Sequence, residues 1–279
     1  MVERGSAPPE LVVHFFGVPD PAARTLVLLH GITDSGSTFG DAVRRWRETY
    51  RIAAIDAPGH GQSPRLTAAQ LADEPAEQMY AATIAAIERI EAGSGPAILV
   101  GHSMGGAMAA AVTSRRPDLV AAVVLEDPAW LPPVDSTADA TLPARWAADR
   151  RRFVEDPAGT FAVERLAHPG WPEIELEPWA QAKRDTDPAL LTLGRLVLVM
   201  RDPWTELAAR IRRPALVVTG TGETIVPGSR EIIEAIANPA IEIVVVDGAG
   251  HCVRRDRGDA FHAVVDPWIA ARFEDSRGA

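Results

Sequence analysis

One cysteine, Cys252, occurs in 279 residues. No intrachain disulfide can form, so cohesion must come from a packed core, and a reducing compartment fits. The sequence also lacks any run of about 18 apolar residues, the length a bilayer-crossing helix requires. No membrane partner is expected. Net positive charge is absent too: 28 Lys and Arg stand against 38 Asp and Glu, a formal charge of −10. Binding a polyanion needs clustered basic side chains, and the one short basic run, Arg150–Arg152, reads as a solvated helix face. Nucleic acid is therefore excluded as a partner. Residues 1–10 are polar and contain no apolar core like that of a signal peptide, which makes a cytoplasmic location the expectation. There is no internal repeat at solenoid or propeller periods and no low-complexity tract.

What remains is ordinary globular material, 47% hydrophobic and 24% charged, long enough for one large α/β domain with an insertion. Short apolar runs predict strands at Leu11–Phe16, Thr25–Leu29, Arg51–Ile55, Ala97–Val100, Ala121–Leu125, Ala215–Thr219 and Ile241–Val246. Most are continuous Val, Ile and Leu, which suits strands buried on both faces of a parallel sheet. Amphipathic patterns between them predict helices over Ala76–Ile90, Met104–Arg115, Ser229–Ala237 and Asp259–Phe273. Alternating β and α elements imply an open sheet covered on both sides. The alternation fails from Pro128 to Ile211, a stretch with many prolines, charged helical patterns and five of the seven tryptophans. Linkers seldom hold so much aromatic surface. The division expected is a core of residues 1–127 and 212–279 with a helical cap over 128–211.

The strongest chemical signal is Val100-Gly101-His102-Ser103-Met104-Gly105-Gly106, between a predicted strand and a predicted helix. This is the context a G-x-S-x-G turn requires: small neighbours let strand and helix approach, and the serine hydroxyl is presented at the sheet's C-terminal edge. Ser103 is the candidate nucleophile. A nucleophilic serine needs a base, and His251, in Asp247-Gly248-Ala249-Gly250-His251 after the last strand, can return to that edge. An oxyanion site needs two backbone amides aimed at one point. Met104 supplies one, and Ile32, in His30-Gly31-Ile32, the other. The remaining histidines show no metal-ligand spacing, so neither metal nor cofactor is expected. Cys252 beside the base reads as a packing residue.

The segments Leu28-Leu29-His30-Gly31, Asp56-Ala57-Pro58-Gly59-His60-Gly61-Gln62-Ser63, Gly101-His102-Ser103-Met104-Gly105 and Gly248-Ala249-Gly250-His251 together resemble the α/β-hydrolase family in order, spacing and context. The resemblance covers the chain except the cap. It implies the α/β-hydrolase fold, with a mostly parallel eight-stranded sheet flanked by helices and a site between sheet and cap. It also implies an acid to orient the histidine, for which two placements compete. In Gly220-Thr221-Gly222-Glu223 a glutamate stands where the family commonly has Asp. At the end of an earlier strand the chain reads Leu125-Glu126-Asp127-Pro128, similar to haloalkane dehalogenases and zearalenone lactonases, which take a Glu there. Glu126 is preferred, because a strand end before a proline holds a side chain rigidly; Glu223 is the alternative and Asp127 a third candidate.

The expected function is a serine hydrolase of carboxylic esters or lactones, acting through a Ser103 acyl-enzyme with His251 and Glu126. C–C bond or thioester cleavage on the same residues is the alternative within enzymes. A non-catalytic binding protein that reuses the fold is the alternative outside them. The partner expected is a small apolar ester or lactone, with a homodimer left open. Trp130 and Trp179 are candidates for lining its pocket, and packing of the cap onto the core competes with that role.

Overall fold

The structure, a computed structural model, describes residues 7–92, 94–131, 141–226 and 230–275. Seven strands form one sheet: β1 (Val13–Gly17), β2 (Thr25–Leu29), β3 (Arg51–Ile55), β4 (Ala97–His102), β5 (Val120–Glu126), β6 (Ala215–Gly220) and β7 (Ile241–Val246). Their order is β1-β3-β2-β4-β5-β6-β7. All neighbours are parallel except β1, which runs antiparallel to β3. The helices, in chain order, are α1 (Gly40–Trp46), α2 (Ala68–Ala72), α3 (Pro75–Glu91), α4 (Met104–Arg115), α5 (Thr141–Glu155), α6 (Pro157–Ala167), α7 (Glu173–Asp185), α8 (Pro188–Thr192), α9 (Trp204–Arg210), α10 (Arg230–Ile236), α11 (Val253–Asp256) and α12 (Gly258–Asp275). No helix among the described residues is long and apolar enough to cross a membrane.

The continuous apolar strands are buried on both faces, because successive side chains point to opposite sides. Val27, Leu29, Leu99 and Val217 meet α3, α4 and α10 through residues such as Ile87, Ala109 and Ile233. Leu26, Leu28, Ile98, Val100 and Leu216 meet α1 and α12 through Trp46, Phe261 and Ile269. Between β5 and β6 the chain is helical, from α5 to α9, and α7 packs against α1 and the turn at Gly36–Phe39.

Three predicted strands, those over Thr25–Leu29, Arg51–Ile55 and Ile241–Val246, have the observed bounds. Four strands run past their expected ends, β1 and β6 by one residue each, Gly17 and Gly220. β4 and β5 stay paired to His102 and Glu126, since both lie in the buried centre of the sheet. β1 starts at Val13, because the Val12 amide donates instead to Ser63 Oγ at 2.9 Å. Among the described residues seven strands stand where the resemblance implied eight; residues 7–12, ahead of β1, carry Pro8 and Pro9, which cannot donate to a ladder. The helix expected from Ser229 runs over Arg230–Ile236, and Ser229 lies outside the described residues.

Candidate active site

Chain direction across the sheet reverses between β2 and β4, since β3 lies on one side of that pair and β5 on the other. In open α/β sheets the strand C-termini at such a point border a crevice. The loop after β2 and the turn after β4 both open into it. At the latter, Ser103 has φ 53° and ψ −115°, a conformation side chains rarely adopt and one that costs about 1–3 kcal/mol. Glycine on both sides makes the turn possible. A Cβ on Gly101 would lie 2.3 Å from the Gly105 carbonyl oxygen, and one on Gly105 would lie 2.0 Å from that of Leu29. The Ser103 amide donates to the Glu126 carbonyl at 3.0 Å, and its carbonyl accepts from Ala107 and Ala129. The strained serine is thus tied to β5.

The loop after β2 passes over this serine. A Cβ on Gly31 would sit 3.2 Å from Ser103 Cβ and 2.9 Å from His102 Nδ1. Its path is fixed by His30, whose Nδ1–H donates to the Gly31 carbonyl at 2.8 Å and whose Nε2 accepts from the Ala57 amide at 2.9 Å. Burial pushes His30 below its ordinary range and His60 down to about 3, so both are neutral framework residues. Ile32 follows directly, and Thr33 takes φ 64°. Met104 opens α4, where first-turn amides have no partner within the helix.

His251 returns to the same edge. Gly220 lets its loop close in, since a Cβ there would be 2.0 Å from the Ala249 carbonyl oxygen. His102 Nε2–H donates to the His251 carbonyl at 3.1 Å, and the two rings lie 4.8 Å apart. The His251 ring, a third exposed, donates from Nδ1 to Asp127 Oδ2 at 2.6 Å. That tautomer leaves Nε2 as a proton acceptor.

Glu126, expected to orient the histidine, does not reach it. Parallel pairing sets His102 opposite Glu126, and the Glu126 carboxylate turns under the histidine loop. There Oε1 accepts from the Arg254 amide at 2.7 Å, and Oε2 lies 3.6 Å from Arg254 Nε. Glu223 is exposed and its carboxylate is not part of this bond. The third candidate, Asp127, is the carboxylate that meets His251. Asp127, with φ 36°, accepts from Thr219 Oγ1 at 2.7 Å, the Ile225 amide at 2.8 Å, the Val226 amide at 3.1 Å and His251. The loop that carries Glu223 therefore contributes backbone donors to Asp127 rather than a carboxylate of its own.

Under the histidine loop lies a group of buried charges that sequence reasoning missed. Arg255 donates to Asp34 Oδ2 at 2.8 Å and to Glu175 Oε2 at 3.0 Å. Arg254 donates to Glu175 Oε1, and Lys183 donates to Thr33 Oγ1 and lies 3.6 Å from Asp34 Oδ1. Burial disfavours the Asp34 carboxylate, but Arg255 and Lys183 outweigh it and hold its carboxyl below the ordinary range. Burial raises Glu126 despite Arg254, and lowers Lys183 despite Asp34. The only advance signal was the Arg254-Arg255 pair, which in a sequence looks like surface charge. No cluster of metal-ligating side chains occurs among the described residues.

Cys252 sits beside these charges, and burial pushes its thiol up to about 12. Only the thiolate is reactive. A disulfide reagent at pH 8 should therefore leave the native protein unlabelled and modify one thiol after denaturation; rapid modification of the native form would contradict this environment.

Trp130 and Trp179 both sit in packed clusters. Trp130 is 1% exposed within the main core and stacks on Trp204 with ring centroids 5.0 Å apart. Trp179 is 8% exposed and meets Phe153 and Trp171 edge-on. Replacing either by Ala should cost about 3–5 kcal/mol of stability, read as a lower urea midpoint. A change in selectivity between small and bulky esters with stability intact would instead assign them to the substrate pocket.

A family model described as the alpha/beta hydrolase family matches residues 26–264. The chain is 28% identical over 242 residues to 2-(acetamidomethylene)succinate hydrolase of Mesorhizobium japonicum, covering 82% of this chain and 81% of that protein. It is 31% identical to the lipase LipV of Mycobacterium tuberculosis, covering 79% of each. The structure of an enol-lactonase from Burkholderia xenovorans superposes with a TM-score of 0.69 at 20% identity, over 93% of this chain and 96% of that one.

Proposed function

Because the chain belongs to the alpha/beta hydrolase family, we propose that it hydrolyses a carboxylic ester or lactone through an acyl-enzyme on Ser103. His251 is the general base and Asp127 the acid that orients it. One observation carries this reading. The 2.6 Å bond from His251 Nδ1 to Asp127 leaves Nε2 free to accept a proton, on a loop that His102 fastens beside the serine.

His251 Nε2 takes the Ser103 proton as Oγ bonds to the substrate carbonyl carbon. The carbonyl π electrons move to oxygen, and the Ile32 and Met104 amides hold that oxyanion. Support for Ile32 comes from Gly31, which lies against Ser103. On collapse the C–O bond to the alkoxide breaks, and protonated His251 gives the leaving oxygen its proton. Water then attacks the acyl-enzyme with His251 again as base, releasing the acid and restoring Ser103. Asp127 fixes the tautomer and stabilises the imidazolium. The helices between β5 and β6 serve as a cap that shapes the substrate pocket.

The Mesorhizobium relative favours a second reading, since its substrate carries an acetamido group: the same steps with nitrogen as leaving atom. A fluorophosphonate probe, with initial rates on p-nitrophenyl esters, a lactone and an anilide, tests both. Labelling with faster ester or lactone turnover supports the first, and faster anilide turnover the second. Folded protein that neither labels nor turns over any of them would remove the enzyme reading.

A further inference from the structure

Five buried side chains and the part-exposed Lys183 alternate in sign along one continuous path: Lys183, Asp34, Arg255, Glu175, Arg254 and Glu126. Three cations face three anions, so the path is neutral. Its members come from four separate pieces of chain. Asp34 is two residues after Ile32, Arg254 and Arg255 follow His251 on α11, Glu126 precedes Asp127 at the end of β5, and Glu175 and Lys183 both project from α7. Every segment proposed to contribute to the chemistry, apart from the Ser103 turn, is therefore joined to the Arg254-Arg255 pair, which α7 braces through Glu175.

Stability alone is a poor reason for such a path. Desolvating six charges costs several kcal/mol per ion, and apolar residues of equal volume often do as well. What ion pairs supply and apolar packing does not is direction. Lys183 shows this best. Its stem crosses the face of Trp179, with Nζ 4.8 Å from the ring centroid, and its ammonium ends on the Thr33 hydroxyl. Thr33 is the residue at φ 64° immediately after Ile32. One residue further along the same turn Arg255 holds Asp34.

We propose that Lys183 and Arg255, acting through Thr33 and Asp34, are positioning residues that hold the Ile32 amide at the angle the oxyanion requires. This rests on the proposed acyl-enzyme mechanism, but the clamp itself can be tested without turnover. A turn held at both Thr33 and Asp34 keeps its donors aimed before the reaction, so no reorganisation is needed as charge develops. If the clamp loosens, the transition state suffers while ground-state binding of a neutral ester does not.

The variants are Lys183→Met, which keeps the stem on Trp179 and removes the ammonium, and Lys183→Arg, which restores a donor. Lys183→Met should speed amide hydrogen exchange across residues 31–34 at least 10-fold relative to wild type, with exchange in β4 unchanged. Its kcat on a neutral p-nitrophenyl ester should fall about 10- to 100-fold with KM within about 3-fold. Affinity for a boronic acid, whose tetrahedral adduct places an oxygen in the oxyanion position, should fall by the same factor. Lys183→Arg should recover most of each loss.

Unchanged exchange across 31–34 would overturn the clamp whatever the activity. A KM rise at constant kcat, confined to anionic esters, would make Lys183 a substrate-binding residue and overturn it as well. If wild type shows no turnover and no boronate binding, the acyl-enzyme reading fails, and the exchange experiment still decides whether the turn is clamped.

Discussion

Ser103→Ala should abolish fluorophosphonate labelling and lower ester turnover on the order of 10⁶-fold, to the level left by binding and the oxyanion donors. The fold should survive the change. The Ser103 hydroxyl donates no hydrogen bond to a described residue, and the bonds that tie this position to β5 and α4 are all main-chain. Alanine tolerates φ 53° no better than serine, so the strain stays constant and only the nucleophile is lost. Circular dichroism and the urea midpoint should match wild type, which separates loss of chemistry from loss of structure. Wild-type turnover by this variant would mean that water, not Ser103, attacks the substrate. Persistent labelling would place the reactive hydroxyl elsewhere.

The sheet was legible because its strands are apolar on both faces, a pattern that needs no tertiary information. The serine turn was legible for a similar reason: Gly101 and Gly105 are demanded by close approach, and that demand is local. The acid was not legible, because Glu126 and Asp127 are consecutive and a strand end sends consecutive side chains opposite ways. Which of them meets His251 depends on the register of β5 against β4 and β6 and on φ 36° at Asp127, neither of which composition reveals. The buried charges were hidden for a further reason. Glu175 and Lys183 look like the solvent face of an amphipathic helix until α7 is seen packed against the turn after β2. The tryptophans looked equally suited to pocket or packing, and the stability and selectivity of their Ala variants decide between the two.

Asp127→Asn should cost on the order of 10³- to 10⁴-fold in kcat, while Glu126→Gln should cost less than about 10-fold. An asparagine at 127 presents one oxygen and one NH₂ where the carboxylate presents two oxygens to four donors. If the oxygen takes the Oδ1 place, serving Thr219 and the Val226 amide, the NH₂ faces the Ile225 amide and His251 Nδ1 and forces the proton onto Nε2. The ring then offers Ser103 a donor instead of an acceptor. If the amide flips, at least one buried backbone donor is left without a partner, at about 1–3 kcal/mol. Both loss of rate and some loss of stability follow. Gln at 126 can still accept from the Arg254 amide, and Arg254 keeps Glu175, so the His251 tautomer is untouched and the change appears mainly in the urea midpoint. Steady-state rates and unfolding curves for the two variants decide the assignment. A crippled Glu126→Gln beside an active Asp127→Asn would return the acid to Glu126 and make the His251–Asp127 bond a structural one. A few-fold loss in both would mean that the base works without a fixed carboxylate.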